Sequence, residues 1–353
     1  MIDKKTYFNL LNNTMKKANK NDFDSIKELL TYIQMNKPKS LFHYRGCSER
    51  SIEAFRNNQI FFNFAINFND PYDCLVYCDI EAIKEQISKM FDFENILKLS
   101  ENINNKNFIE SRPLQIPFEE AQKVLNSLKN QNIKNIFNAI PQESLDALSN
   151  YLESLSTYTH SEYINFYKNQ MPIVCLSEKY NNILMWSHYA DNHKGFVIEY
   201  DTDSLQTKCI ACPENKTLNN CSNWKEVILL PILYTDKRFN ATYYIYDNIL
   251  KTAFQKLGNF NWDLSDKFAQ YKINIYKHKC WSYEKEWRLQ LYRLSNDNSI
   301  TVKPKAIYLG CRISKCYEDI LVKYAKEQNI DIYKMTENPS KIKYSLTKKK
   351  YKF

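Results

Sequence analysis

The sequence predicts an α+β fold in which a small mixed or antiparallel β core carries large helical insertions. Apolar residues make up 44% of the 353 residues, which is enough to form a sizeable core. Strand-like runs occur in groups separated by helical blocks, and this grouping favours an α+β core over a doubly wound sheet. The chain has only four glycines and no glycine-rich phosphate motif, so a Rossmann dinucleotide site or a P-loop is not expected.

An N-terminal helical segment, residues 1–38, precedes the predicted β core. Residues 39–335 are interpreted as one α+β domain with helical insertions near 80–170 and 240–275, and residues 336–353 as a basic tail. Within the domain, strands are predicted at 41–45, 60–62, 173–176, 195–200, 227–234, 281–292 and 306–309, and helices from Ser48 and at 316–328.

Charge and cysteine content limit the class of protein. The net charge of +9 would help the protein approach a polyanion, although a solvated lysine-rich surface explains it more simply. Without an apolar signal core or a bilayer-spanning run, the protein is expected in the cytoplasm, with reduced cysteines and no membrane partner. Cys209, Cys212 and Cys221 supply three of the four ligands that zinc requires, so no metal is expected and unpaired thiols are the preferred interpretation.

The first polar motif, His43-Tyr44-Arg45-Gly46, closes the opening strand. Side chains alternate between the two faces of a strand, so His43 and Arg45 are expected on one face and Tyr44 on the other. The forked guanidinium of Arg45 suits a diphosphate or a carboxylate ligand. A structural ion pair between Arg45 and a carboxylate of the protein is an equally weighted alternative.

The second motif, Asn69-Asp70-Pro71-Tyr72-Asp73, predicts a rigid turn. Its polar side chains either face a substrate or lock the turn by bonding to the nearby backbone. The turn lock is the preferred interpretation. Asn69, Asp70 and Asp73 nevertheless remain candidate substrate-binding residues.

The third motif begins at Ser177, where a strand ends, and continues through Trp186-Ser187-His188-Tyr189. Trp186 and Tyr189 are three residues apart on one face of a predicted helical turn, so with His188 they could clamp a flat heterocycle. Aromatic residues beside a satisfied histidine are also common in cores, and the two interpretations carry equal weight. No G-x-S-x-G elbow surrounds Ser177, which argues against a serine hydrolase.

The fourth motif, Lys277-x-Lys279-x-Trp281-x-Tyr283-Glu284-x-Glu286-Trp287-Arg288-Leu289, carries two carboxylates. On a strand, Glu284 and Glu286 would face the same side, where they repel each other unless a positive charge lies between them. A sugar cation in a transition state, a metal ion or an arginine could supply that charge. Arg288 continues this face, so it either contacts a substrate or forms a structural Glu–Arg ladder.

Taken together, the four motifs resemble the signature blocks of the bacterial family catalogued as domain of unknown function 2971. The blocks occur in that family's order and are His43-Tyr44-Arg45, Asn69-Asp70-Pro71-Tyr72-Asp73, Trp186-Ser187-His188-Tyr189-Ala190 and Tyr283-Glu284-x-Glu286-Trp287-Arg288. The resemblance spans roughly residues 40 to 310 and omits much of 80–170. It carries little information about function.

The sequence is also similar to mono-ADP-ribosyltransferases of the Arg–Ser–Glu type, at Arg45, Ser177 and Glu284-x-Glu286. This resemblance implies an ADP-ribosyltransferase-like β core and NAD as the substrate. It further implies that Glu286 stabilises the oxocarbenium ion and that Glu284 activates the acceptor. Ser177 would support the glutamate, and Arg45 would anchor the diphosphate.

The motifs and the resemblance together predict an ADP-ribosyltransferase or NAD glycohydrolase that acts as a toxin or antiviral defence effector. The acceptor would be a protein, a nucleic acid or water, and Arg45 and Glu286 would form opposite walls of one pocket. The candidate residues are catalytic Glu286, Glu284 and Ser177, cofactor-binding Arg45, Tyr44, His43, Trp186, His188 and Tyr189, and substrate-binding Asn69, Asp70, Asp73 and Arg288.

Two alternatives remain open at this point. A metal-dependent nuclease or phosphohydrolase would hold Mg²⁺ between Asp70, Asp73, Glu284 and Glu286, assisted by Lys279. A non-enzymatic module that binds nucleic acid or protein is also consistent with the positive charge and the aromatic content.

Overall fold

A computed structural model of the protein describes residues 2–16, 23–79, 81–82, 85, 168, 172–205, 227–245, 265–266, 268–291, 298–340 and 342–352. Most of the insertion predicted at 80–170, most of the helical block predicted at 240–275, and the group of Cys209, Cys212 and Cys221 lie outside these residues. None of the described helices is long and apolar enough to cross a lipid bilayer.

The regular elements are given in chain order. The helices are α1 (Lys4–Asn13), α2 (Phe23–Asn36), α3 (Glu49–Arg56), α4 (Ile183–Tyr189), α5 (Ala269–Ile273) and α6 (Lys315–Glu327). The strands are β1 (Met15–Lys16), β2 (Ser40–Arg45), β3 (Gln59–Phe61), β4 (Asn63–Phe64), β5 (Pro172–Ser177), β6 (Phe196–Asp201), β7 (Val227–Pro231), β8 (Leu233–Thr235), β9 (Ser265–Asp266), β10 (Tyr276–His278), β11 (Glu286–Leu291), β12 (Ser299–Thr301), β13 (Ala306–Leu309), β14 (Asp331–Glu337) and β15 (Leu346–Lys350).

One mixed sheet organises the described part of the chain. Its strand order is β15-β14-β13-β6-β2-β5-β11-β7, and β4 pairs with β5 beside this path. Neighbouring strands are antiparallel except β13 and β14, which run parallel. The predicted α+β class is therefore confirmed, but with nine strands the sheet is larger than the small core that was expected.

The N-terminal helices pack onto this sheet. The carboxylate of Asp3 caps α1 by accepting a hydrogen bond of 2.8 Å from the Thr6 amide. Tyr7 and Leu29 are each at most 1% exposed and belong to the main hydrophobic core. The Tyr7 hydroxyl also donates to the Pro231 carbonyl at 2.9 Å. Helices α1 and α2 thus share a core with the sheet.

The strand predicted at 281–292 is wrong in its first half. Residues 279–284 form a 3₁₀ turn, Lys285 adopts a left-handed conformation with φ of 49°, and the strand begins only at Glu286. Two backbone carbonyls of this turn accept hydrogen bonds from side chains, where in a strand they would accept them from the backbone of a neighbouring strand. Asn182 donates to the Tyr283 carbonyl at 2.6 Å, and Ser177 donates to the Glu284 carbonyl at 2.6 Å.

The end of the predicted basic tail forms an edge strand. β15 runs antiparallel to β14, from Leu346 opposite Glu337 to Lys350 opposite Tyr333. Lys348 reaches back onto the sheet, and its Nζ lies 4.3, 5.0 and 5.1 Å from the ring centroids of Tyr333, Tyr180 and Tyr308. Cation–π attraction in this three-ring cage fixes the last strand.

The sheet opens between β2 and β5. β2 pairs with β6 along its whole length but is paired with β5 only at Phe42 opposite Ser177. An unbroken register would place residues 43–45 against residues 174–176. The two segments instead line opposite sides of a cavity. A gap in the middle of the sheet therefore lies beside the His43-Tyr44-Arg45 motif.

Beside this gap, the backbone at Gly195 packs directly against the backbone carbonyls of Arg45 and Ala190. An added Cβ at Gly195 would lie 2.1 Å from the Arg45 carbonyl oxygen and 2.9 Å from that of Ala190. Gly195→Ala is therefore expected to lower the free energy of unfolding, measured by urea denaturation, by about 1–3 kcal/mol. Gly46→Ala is the matched control, because the nearest atom to its added Cβ, on Asp191, is 3.7 Å away. Equal stability of the two variants would contradict the close approach.

Candidate functional site

A cavity of about 350 Å³ occupies the gap between β2 and β5, and we call it the cleft. Its volume falls near the lower end of ligand sites, which hold roughly 300–1,000 Å³. The walls come from β2, β5, α4, the loop after β4 and the turn before β11. The predicted site residues that line it are His43, Tyr44, Arg45, Asn69, Asp73, His188, Tyr189, Glu284 and Glu286.

Five charged side chains form a charged cluster on one wall of the cleft. The Nζ of Lys277 lies 2.6 Å from Glu284 Oε2, 2.9 Å from Glu286 Oε2 and 3.5 Å from Asp73 Oδ2. Arg288 donates through Nε to Glu286 at 2.7 Å and through Nη2 to Asp73 at 2.6 Å. Three carboxylates thus meet two cations, so the fully ionised cluster carries one net negative charge.

Strand alternation and one left-handed residue bring these groups together. Glu286 and Arg288 lie two apart on β11 and therefore share a face. Glu284 precedes the strand, and the positive φ of Lys285 turns the chain between the two glutamates. Asp73 comes from the polar loop, where the Asp70 carboxylate accepts a hydrogen bond from the Tyr72 amide at 2.9 Å.

The two glutamates titrate in opposite directions. Burial, followed by repulsion from Glu286, raises the pKa of Glu284 from 4.5 to about 7, although Lys277 and Tyr189 both donate to its carboxylate. Burial alone would also raise the pKa of Glu286, but the charges of Arg288 and Lys277 hold it well below 4.5. Near neutral pH the two glutamates therefore comprise one ionised carboxylate, Glu286, and one that exchanges a proton, Glu284.

Arg45 lies on the wall formed by β2. Its side chain is half-buried, and its Nη2 donates to Ser51 Oγ at 3.4 Å. No carboxylate of the described residues lies within ion-pair distance of Arg45. Burial and the neighbouring guanidinium lower the pKa of His43 well below 6.5, so its imidazole is neutral. Arg45 thus offers an unpaired guanidinium to a ligand in the cleft.

Three predicted site residues support the cleft without lining it. Ser177 donates to the Glu284 backbone carbonyl, so it holds the glutamate turn in place. Asp70 locks its own loop, as the preferred interpretation of that motif expected. Arg288 is fully buried behind the cluster and forms the Glu–Arg ladder that was the structural alternative.

The expected clamp of Trp186 and Tyr189 is reduced to one ring. Trp186 is 0% exposed and packs edge-on against Tyr44, with ring centroids 5.6 Å apart. Its indole N–H donates to the Tyr180 carbonyl at 2.7 Å, which satisfies its only polar group. Because this short helix directs Trp186 into the core, the part of the clamp that reaches the cleft is Tyr189 with His188.

Lys277 is the central residue of the cluster, and sequence reasoning placed it in the fourth motif without giving it a role. The cation proposed to accompany the acidic residues was Lys279, but that side chain is 63% exposed and pairs with Asp236 at 2.9 Å. Lys277 is on β10, directly before the 3₁₀ turn, and is buried. Two carboxylates that share a site require a cation between them. The lysines that precede Glu284 in the same motif were the sequence signal that could have identified this cation.

Comparisons with known proteins bear on one stretch of the chain. A search of curated proteins and a search of solved structures find no match. A family model described as "Protein of unknown function (DUF2971)" matches residues 185–289. The matched stretch runs from α4 to β11 and contains Tyr189, Lys277, Glu284 and Glu286. Over this stretch, which is less than a third of the chain, the protein is similar to the DUF2971 family.

Proposed function

We propose that the cleft is the active site of an NAD-consuming enzyme, either a mono-ADP-ribosyltransferase or an NAD glycohydrolase. The observation that carries the proposal is that Arg45 and the pair of Glu284 and Glu286 line the same cavity. No ion pair joins Arg45 to either glutamate within the described part of the chain. An enzyme that consumes NAD in this way would act as a toxin or antiviral defence effector.

The charges of the cleft complement those of NAD. A diphosphate suits the unpaired guanidinium of Arg45, which presents a rigid fork of donors. The ribose carbon that bears nicotinamide becomes positive as the glycosidic bond breaks, and the net negative charge of the cluster would stabilise that centre. The two ends of the substrate would thus meet opposite charges at opposite walls.

The pKa values suggest a division of labour between the two glutamates. As the bond from C1′ to the nicotinamide nitrogen breaks, its electron pair leaves with nicotinamide, and ionised Glu286 would face the positive sugar. An acceptor hydroxyl or water then forms the new C–O bond at C1′, and its proton passes to the Glu284 carboxylate. A carboxyl with a pKa of about 7 is suited to accept that proton near neutral pH.

Two further features agree with the resemblance to Arg–Ser–Glu transferases. The Glu284-x-Glu286 pair opens strand β11 from a turn, as it commonly does in those enzymes. Ser177 lies opposite Glu286 in the register and bonds the backbone of Glu284, which is a supporting position.

The proposal is tested by following nicotinamide release from NAD by the purified protein. Arg45→Gln removes a charged donor but keeps a polar side chain, so we expect kcat/KM to fall by about 10- to 100-fold. Arg56→Gln is the matched control, because Arg56 is an exposed arginine that lies over the Tyr324 ring at 5.2 Å and does not line the cleft. No nicotinamide release by the wild type, or EDTA-sensitive cleavage of nucleic acid in its place, would refute the proposal.

A further inference from the structure

A second cavity, of about 390 Å³, adjoins the charged cluster at Lys277. Lys277 lines both cavities, so its side chain is part of the wall between them. Its Nζ bonds the carboxylates on the cleft side and lies 5.2 Å from the centroid of the Trp281 ring, which belongs to the second cavity. A ligand in the second cavity would therefore lie next to the cluster without entering the cleft.

Flat aromatic rings form much of this second cavity. Its aromatic lining residues are Tyr72, Phe239, Tyr276 and Trp281. Tyr72 is 64% exposed, so its ring is available to a ligand from solvent. The Phe239 and Tyr276 rings tilt against each other with centroids 5.3 Å apart, which keeps them in place. Rings of this kind are suited to stack on a planar base.

Positive charge surrounds the rim of the second cavity. Lys237 and Arg238 are both exposed, and neither is within ion-pair distance of a carboxylate among the described residues. The one exposed acid of the lining, Asp236, is already met by Lys279 at 2.9 Å and by His278 at 3.6 Å. Arg238 donates through Nη1 to the Val76 carbonyl at 3.3 Å and lies 5.7 Å from the centroid of the Tyr77 ring, which holds its side chain at the rim. The rim thus offers two cations that no described carboxylate neutralises, where a phosphate attached to a stacked base would lie.

We infer that the second cavity binds a nucleotide unit, with its base against the rings and its phosphate at Lys237 and Arg238. The unit is either a free nucleotide or part of a single-stranded nucleic acid, since both present the same base and phosphate. Because Lys277 lines both cavities and bonds Glu284, a nucleotide held there would lie next to the charged cluster but away from a substrate in the cleft. This binding does not rest on the proposed function.

The test measures binding of AMP and of a ten-nucleotide single-stranded oligoadenylate by calorimetry, without NAD. The double variant Tyr72→Ala/Arg238→Gln removes an exposed ring and an exposed cation from the cavity. We expect it to weaken binding by about tenfold or more. The matched control is Tyr344→Ala/Arg56→Gln, which changes a 97% exposed tyrosine and an exposed arginine that do not line the second cavity.

The outcomes separate this inference from the proposed function. Weaker binding by the first double variant alone supports the inference, and the tighter of the two probes identifies a free nucleotide or a strand as the ligand. Absence of binding to the wild type, or equal weakening by the control, overturns it. Binding that Arg45→Gln abolishes and the double variant retains would place the nucleotide in the cleft and also overturn it. Nicotinamide release, measured in parallel, reports on the proposed function whichever result is obtained.

Discussion

Replacing Arg288 with methionine is expected to lower the free energy of unfolding by about 3–5 kcal/mol. Arg288 is 0% exposed and donates to Glu286, Asp73 and the Asn274 carbonyl. Methionine fills much of the volume but supplies no charge. Among the described residues, the variant would leave three buried carboxylates with Lys277 as their one cation. An uncompensated buried charge costs far more than a lost surface ion pair.

Chemical denaturation at pH 7 measures this loss. Lys315→Met is the matched control, because Lys315 forms an exposed i,i+4 pair with Asp319 at 2.7 Å. Such surface pairs are screened by solvent and contribute little, so the control should unfold close to the wild type. A change of similar size in both variants would show that the cluster is solvated and would contradict its burial.

Glu284→Gln is expected to slow nicotinamide release by about 10²- to 10⁴-fold if Glu284 accepts the proton of the acceptor. Glutamine keeps the shape of the side chain and can still accept a hydrogen bond from Tyr189, but it cannot take up a proton. The wild-type kcat/KM should fall as the pH drops below about 7, because the raised pKa of Glu284 leaves the carboxyl protonated there. For the Glu284→Gln variant, kcat/KM should not show this decrease below pH 7.

The same variant checks the titration of Glu284 without any assay of activity. The folded protein raises the pKa of Glu284 from 4.5 to about 7, so the stabilisation from its protonated form is complete below pH 4.5 and is lost as the pH rises through 7. From pH 4.5 to 8, urea denaturation should show stability shifting by about 3 kcal/mol in favour of the variant relative to the wild type.

Glu318→Gln is the control for this pH series. Despite partial burial, hydrogen bonds from Lys334 and Tyr351 lower the pKa of Glu318, so its contribution to stability changes only below pH 4.5. Its difference from the wild type should stay constant between pH 4.5 and 8. A constant difference for Glu284→Gln as well would show that Glu284 is ionised throughout this range, contrary to its raised pKa.

Local signals were sufficient for most of the described elements. The strand at 40–45 has bulky apolar residues next to a charged end, and Ser48 caps α3 by accepting a hydrogen bond from the Ser51 amide at 3.2 Å. The first half of the prediction at 281–292 failed for a tertiary reason. Ser177 and Asn182, about a hundred residues earlier, donate hydrogen bonds to backbone carbonyls of the turn. Because these partners are distant in sequence, the local pattern of 279–285 does not indicate the bonds.

The candidate site shows the same division between local and tertiary information. Motif types and order indicated which polar residues converge, and nine of them line one cavity. Which cation would separate the glutamates depended on the path of the chain from β10 through the turn, so Lys277 could not be distinguished from Lys279. The sequence did not show whether Trp186 lies in the core or in a ligand site, because a ring three residues from Tyr189 fits both. Its complete burial in the structure places it in the core.

The three-ring cage around Lys348 has a practical consequence for handling the protein. Proteolysis before Leu346 would remove β15 and uncover the backbone of β14, a seven-residue strand that could then join another sheet. The three lysines of β15 are charges that discourage such pairing, and the tyrosine rings keep that protective strand in place. A preparation clipped at this end would accordingly be prone to aggregate, and affinity tags are better placed at the amino terminus.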